Sequence, residues 1–419
     1  MFQTASVLVV SSALFAWFNH RFIRLPTTIG IMVIAMLFSL VLITLGTAGF
    51  LDPVELGTDW LRQVDFKRTL MDGMLAFLLF AGALHVDLKR LVESRLIVGL
   101  LATLGVVLST AIIAVASYAV FQAIGQPVPF LYCLLFGVIV SPTDPVAVLG
   151  ILKTAGAPKS LEVKIAGESL FNDGVAVVVF IALLGIATGA GEASASAVAS
   201  LFALEVIGGV ALGAVTGGLC WLLLARVDDY TVEILLTLAL VMGGYSLAKY
   251  LHVSGVLAMV VAGLVIGNPG RENAMSDTTQ AHLDTFWELV DEILNAVLFL
   301  LMGLVMLLLS IEPEALIAGL VLALVALAAR WFAVSLATRA LQLKKAIHPK
   351  LVTLLTWGGI RGGISVALAL SLPESPWRTL LLTATYVIVV LSILVQGLSI
   401  KRLISTVFND DASSRESNS

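Results

Sequence analysis

The sequence predicts an all-α polytopic membrane protein of about thirteen transmembrane helices, and three observations carry that reading. Of 419 residues, 59% are hydrophobic and 12% charged, with a mean hydropathy of +1.04, whereas soluble domains hold about 25% charged residues. Apolar runs bounded by turn and charge clusters recur along the chain, each near the roughly 20 residues that a span needs. Lys and Arg fall unevenly on alternate connections, 17 on one set and 5 on the other. The composition excludes a water-soluble fold and leaves no room for a soluble catalytic domain.

Residues 1–18 are apolar but lack a basic leader and a small-residue cleavage site, and Arg21 and Arg24 follow them, so they read as a first span. The later apolar runs centre near residues 36, 78, 109, 140, 175, 210, 241, 260, 298, 326, 361 and 386. Helices eight and nine are separated only by the stretch from His252 to Gly255, and helix ten opens on an amphipathic run from Ala281 to Glu292. The part from 1 to 400 forms the membrane domain, and 401–419 reads as a short polar tail without a large regulatory domain. An odd number of spans puts the termini on opposite faces. The basic excess then places the N-terminus outside and the C-terminus in the cytoplasm. The net charge of −4 is dispersed, so no basic patch suits nucleic acid. Cys133 and Cys220 lie inside apolar runs and suggest neither a disulfide framework nor a metal site.

Ionisable groups at membrane depth are costly and need a partner or a watery cavity, and three stretches carry them. The first is Ser141-Pro142-Thr143-Asp144-Pro145, midway through an apolar run. Each proline removes a donor and disfavours helix at the preceding residue, so Thr143 and Asp144 are expected in an unwound break between two half-helices. Freed carbonyls and a carboxylate there suit a cation; Asp144 equally suits capping of the following half-helix. The second is Glu168-Ser169-Leu170-Phe171-Asn172-Asp173-Gly174. Helical spacing sets Ser169 with Asp173 on one stripe and Glu168 with Asn172 on the next. Desolvation of an unpaired aspartate favours its uncharged form, so Asp173 is the candidate for exchanging a proton against a cation; the alternative is a polar, aqueous helix end. The third is Trp357-Gly358-Gly359-Ile360-Arg361-Gly362-Gly363-Ile364-Ser365, whose four glycines in six residues predict a second broken helix. Arg361 cannot lose its proton, and Glu168 is its expected partner. The alternative is a glycine packing face with Arg361 reaching water.

These breaks fall in helices five and twelve, seven spans apart, an odd offset that gives the arithmetic of an inverted repeat with two interrupted, crossing helices. That favours a transporter over a channel. Arg361 would also offset the partial negative charge where half-helix C-termini meet. Arg330 and Glu205 lie within apolar runs, where they either pair with each other or line the vestibule, without an assigned place, while Asp284, Glu288, Asp291 and Glu292 form either an acidic funnel or a solvated face. The five histidines sit near expected interfaces and point to no particular sensor.

At these three motifs the chain resembles bacterial sodium/proton antiporters of the NhaP type, relatives of the eukaryotic sodium/hydrogen exchangers, over essentially its whole length. The resemblance implies a homodimer in a bacterial inner membrane, with a core from about 97–187 and 313–400 moving against a dimerisation part from about 1–90 and 194–310. It implies that Na⁺ is bound by Asp173, Asp144, Thr143 and Ser169, in competition with H⁺ at Asp173, and that Asn172 and Arg361 hold Glu168 in a structural network. No cofactor is implied. Many relatives carry an acidic residue in the third helix where this chain reads Leu79-Phe80-Ala81-Gly82, which removes one possible ligand. The Asn172-Asp173 pair matches relatives that exchange one Na⁺ for one H⁺; Li⁺ and K⁺ are alternative cargoes. A cation channel or sensor on the same fold is the competing reading. An intramembrane hydrolase is disfavoured, since no Ser/His pair, His-x-x-x-His or paired-aspartate pattern appears in the helices.

Overall fold

A computed structural model describes residues 2–49, 66, 69–154, 157–189, 195–270, 275–309, 312–342 and 349–406. The loop charges at Arg62, Lys67, Arg68, Arg271, Lys344 and Lys345, together with His348 and the tail from 407, lie outside them. The described chain is helical, with no strand. In chain order the helices are α1 (Gln3–Ile23), α2 (Thr27–Thr47), α3 (Thr69–Leu84), α4 (Arg95–Ala123), α5a (Phe130–Val140) and α5b (Val146–Thr154). There follow α6 (Lys159–Ala187), α7 (Ala195–Leu224), α8 (Tyr230–Tyr250), α9 (Gly255–Asn268), α10 (Asp277–Leu308) and α11 (Pro313–Gln342). The chain closes with α12a (Pro349–Trp357), α12b (Gly363–Leu370) and α13 (Arg378–Thr406).

Among the described residues nine of these helices are long and apolar enough to cross a bilayer. The four other expected spans are the short α3 and α9 and the interrupted pairs α5a/α5b and α12a/α12b, each half too short to span alone. The close pair α8 and α9 is separated by a turn in which His252 takes φ +54°, after which Ser254 Oγ caps α9 by accepting the Leu257 N–H. The amphipathic start of helix ten is continuous with its apolar remainder, capped by Ser276.

Without a hydrophobic driving force between helices in lipid, small residues let backbones close up. Gly209, Gly213 and Gly217 form a stripe on α7, and a Cβ at Gly213 would stand 2.9 Å from the Ala258 Cα on α9. The other side of α9 meets α3, where a Cβ at Gly263 would stand 2.6 Å from the Phe80 carbonyl oxygen. Phe80, Leu224, Val241, Met259 and the wholly buried Trp287 join α3, α7, α8, α9 and α10 in one apolar cluster. A larger cluster runs through α4, α5, α6, α11, α12 and α13, taking in residues of α1, α2, α3, α9 and α10. Gly213→Val forces α7 off α9 and is expected to cost about 1–3 kcal/mol, measured as a lowered thermal midpoint of the purified chain.

Candidate ion-binding site

The two interruptions meet. Pro142 and Pro145 end α5a and open α5b, and the freed Asp144 N–H donates to the Ile360 carbonyl in the other break at 2.7 Å. Four half-helix ends converge here, and each leaves backbone groups without a helical partner. Asp144 answers the two that begin: its Oδ1 accepts the Val146 N–H at 2.9 Å, and the Gly363 N–H at the head of α12b acts on the same carboxylate. A Cβ at Gly362 would collide with that carboxylate, so only glycine fits. Arg361 answers the two that finish. Its Nε donates to the Val140 carbonyl closing α5a at 2.7 Å, Nη1 to the Gly359 carbonyl at 2.6 Å, and Nη2 to Ala326 on α11 at 3.4 Å. Opposite charges thus stand at opposite dipole ends.

Glu168 has a different partner from the one the sequence suggests. Arg330, on α11, grips it with both guanidinium ends: Nη1 on Oε1, and Nη2 on Oε2 at 2.8 Å, while Nη2 also reaches the Leu355 carbonyl of α12a at 3.0 Å. The expected Glu168–Arg361 pairing is therefore corrected. A fork aimed at a carboxylate needs a straight approach, which α11 provides, whereas Arg361 is taken up by carbonyls. Asn172 does not hold Glu168 either. Its Oδ1 accepts the Thr143 N–H at 3.3 Å and its Nδ2 donates to Thr143 Oγ1 at 2.8 Å, matching the donor and hydroxyl exposed by the α5 break. Thr143 Oγ1 also lies 3.0 Å from Ser169 Oγ, a hydroxyl pair in which either oxygen can donate.

One turn beyond Ser169, Asp173 is 4% exposed, and no donor among the described residues hydrogen-bonds its carboxylate; Asp144 is its electrostatic neighbour. The oxygens of Asp173, Asp144, Ser169 and Thr143 therefore share one region of the core, a hard-oxygen set suited to an alkali cation. Ala81, on α3, is buried, and its carbonyl accepts from or faces His85 Nδ1 at 2.8 Å, so this helix offers no carboxylate at that position.

Sequence reasoning missed three contributors. Arg330 is a lone cation in an apolar run, and pairing arithmetic between it and Glu168 was the signal available. Ser392 and Gln396 gave no signal, since a hydroxyl and an amide four residues apart are ordinary helix neighbours; α13 is π-helical there, over Ser392–Gly397. There Ser392 Oγ accepts the Arg361 N–H at 3.0 Å and donates to Gln396 Oε1, and Gln396 Nε2 donates to the Trp357 carbonyl at 3.3 Å. Glu205, by contrast, lies on α7 beside His252, away from Arg330. Of the acidic cluster, Asp284 faces His85 at 3.9 Å while Glu288 and Glu292 are exposed.

Removing one partner of a buried ion pair leaves an uncompensated charge and costs about 3–5 kcal/mol. Glu168→Ala and Arg330→Ala are each expected to destabilise by about that amount, and the double variant by little more than either alone; Glu168→Ala with Arg361→Ala should be closer to additive. Thermal unfolding of the purified variants measures both cycles. Gln396→Leu leaves the Trp357 carbonyl unpaired and should cost about 1–3 kcal/mol in the same assay.

Known proteins are similar to the chain along nearly its full length. Residues 9–406 match the family described as sodium/hydrogen exchanger, transmembrane. The chain is 49% identical over 413 residues to the Na⁺/H⁺ antiporter NhaP of Pseudomonas aeruginosa, covering 97% of each. It is 36% identical over 344 residues to the Na⁺/H⁺ antiporter NhaH of Halobacillus dabanensis, covering 81% of this chain and 83% of that protein. Its fold superposes on the sodium proton antiporter MjNhaP1 of Methanocaldococcus jannaschii with a TM-score of 0.75 at 19% identity, over 95% and 96% of the two chains. Two helices broken at one place, a carboxylate and a guanidinium at their ends, and the matching sequence along nearly the full length have one explanation: the chain belongs to the sodium/hydrogen exchanger family of transmembrane proteins.

Proposed function

We propose that this protein is a secondary antiporter exchanging Na⁺ for H⁺ across a bacterial inner membrane. The observation that carries the reading is Asp173: an acid 4% exposed, without a hydrogen-bond donor, one helical turn from Ser169 and beside Asp144 at the α5 break. A lone buried carboxylate in low dielectric must be discharged, and either a proton or an alkali cation does so. Both cannot occupy it together. Alternation between the two, coupled to alternate exposure of the site, yields exchange. The antiporter names of the Pseudomonas and Halobacillus relatives support the same activity. Because Asn172 is an amide engaged with Thr143, one titrating group handles each cycle, which favours an electroneutral exchange of one Na⁺ for one H⁺. Li⁺ would fit the same oxygen set.

The remaining architecture follows from this reading. The spans number thirteen, the N-terminus lies outside and the C-terminus in the cytoplasm. The core of about 97–187 and 313–400 carries the site, and the part of about 1–90 and 194–310 serves as the dimerisation scaffold of a homodimer. The apolar cluster joining α3 with α7 to α10 supports grouping those five helices.

In proteoliposomes, Na⁺-driven proton movement followed with a pH-sensitive dye should fall at least about 100-fold in Asp173→Asn, since an amide cannot exchange a proton for a cation. Undiminished movement would remove Asp173 from the mechanism, and Na⁺ current without proton movement would favour a channel. Competition for one group has a second consequence. Over the acidic range the apparent KM for Na⁺ should rise toward about tenfold per unit fall in pH, with maximal velocity unchanged.

A further inference from the structure

Glu233 is a carboxylate for which the exchange chemistry has no use. It lies in the first turn of α8, is 0% exposed, and neither of its oxygens has a well-formed hydrogen bond among the described residues, the Thr279 hydroxyl lying beside it. Burying such a group uncompensated is costly, so its surroundings should contain the compensation. They contain more acceptors. Asp229 is occupied in capping α8, its Oδ1 accepting the N–H groups of Thr231 at 2.8 Å and Val232 at 3.3 Å. Asp228 accepts from Ser276 Oγ at 2.8 Å and from Thr279 Oγ1 at 3.4 Å. Ser276 Oγ also lies 3.3 Å from Thr279 Oγ1, and Thr279 and Asp228 both neighbour Glu233, so two hydroxyl protons are shared among two carboxylates. The group therefore holds the carboxylates of Glu233 and Asp228 with only the hydroxyls of Thr279 and Ser276 between them. No Lys, Arg or His among the described residues is ion-paired with Glu233 or Asp228, and the nearby His282 ring is stacked on Tyr230. The α8 N-terminus supplies only a partial positive charge.

We propose that Glu233, Asp228, Thr279 and Ser276 form a second cation site, between the N-terminal ends of α8 and α10, that takes a monovalent alkali ion. The donor set is all hard oxygen. No three His, Cys, Asp or Glu side chains converge as a metal site among the described residues, so the set lacks the carboxylate density from which divalent ions draw their affinity. The site is separate from Asp173, which lies on α6. It belongs to the loop face that the Lys/Arg distribution assigns to the cytoplasm, and an ion there would tie α8 to α10 just above the Trp287 Nε1 to Thr237 Oγ1 hydrogen bond of 3.1 Å. The inference does not rest on the transport reading, because binding alone reports it.

The test uses the full-length Asp144→Asn/Asp173→Asn protein in detergent, whose thermal midpoint is followed against NaCl at constant ionic strength made up with choline chloride, at several pH values. A ligand that binds only the folded state raises the midpoint with its concentration. A saturable rise with Na⁺ is expected, and its apparent affinity should fall at least tenfold on adding Glu233→Gln. Thr279→Val, which keeps the shape and removes the hydroxyl, should weaken it as well and gives the answer if the Glu233→Gln protein does not fold. No Na⁺-dependent rise, a rise unaffected in the variant that folds, or a midpoint that follows pH but not Na⁺ would overturn the proposal, the last by making Glu233 a proton site instead.

Discussion

Helix ends inside a membrane protein leave backbone groups that lipid cannot satisfy, and four such ends meet where α5 and α12 are interrupted. The meeting is stable because two side chains of opposite sign answer them: Asp144 at the starting ends, and Arg361 on the carbonyls of Val140 and Gly359 at the finishing ends. Each of these charges would be expensive alone. Placed against opposite dipole ends, each offsets partial charge of the other sign. The rest of the site depends on this arrangement, for it brings an open, polar stretch of backbone to Asp173.

Around that centre the molecule divides its polar groups by what they can give up. Glu168 and Arg330 pair through both guanidinium ends and add the Leu355 carbonyl, leaving only Arg330 Nε of this set without a partner among the described residues, so α6, α11 and α12a are fastened together. Thr143, Asn172 and Ser169 form a second connected set that fixes the α5 break against α6. Asp173 belongs to neither, and its freedom is what exchange chemistry requires. The π-helical turn of α13 has a comparable economy: it carries Ser392 and Gln396, which meet the orphaned groups on either side of the α12 break.

Much of this was legible in the residues. Apolar runs located the helices because lipid selects length and composition so strongly. The two breaks were legible because proline and clustered glycine act on their own backbone, without regard to neighbours. The partner of Glu168 was not legible. Arg330 and Arg361 are both lone cations in apolar surroundings, and their separation along the chain says nothing about which one reaches α6. Ser392 and Gln396 were hidden for a related reason, as hydroxyls and amides are common in helices and gain meaning only from the carbonyl or N–H they face.

By itself the sequence determined that the chain lives in a membrane, where it is interrupted, and which carboxylates lie at membrane depth, since composition, proline placement and the scarcity of buried charge are local properties. Only the packing of the helices decided that Arg330 holds Glu168, that Arg361 closes the half-helices, that Asn172 serves Thr143, and that Glu233 is enclosed with other oxygens. Those outcomes turn on direction and distance between segments far apart in the chain, and a guanidinium or an amide commits to whichever partner the fold places within a hydrogen bond of it.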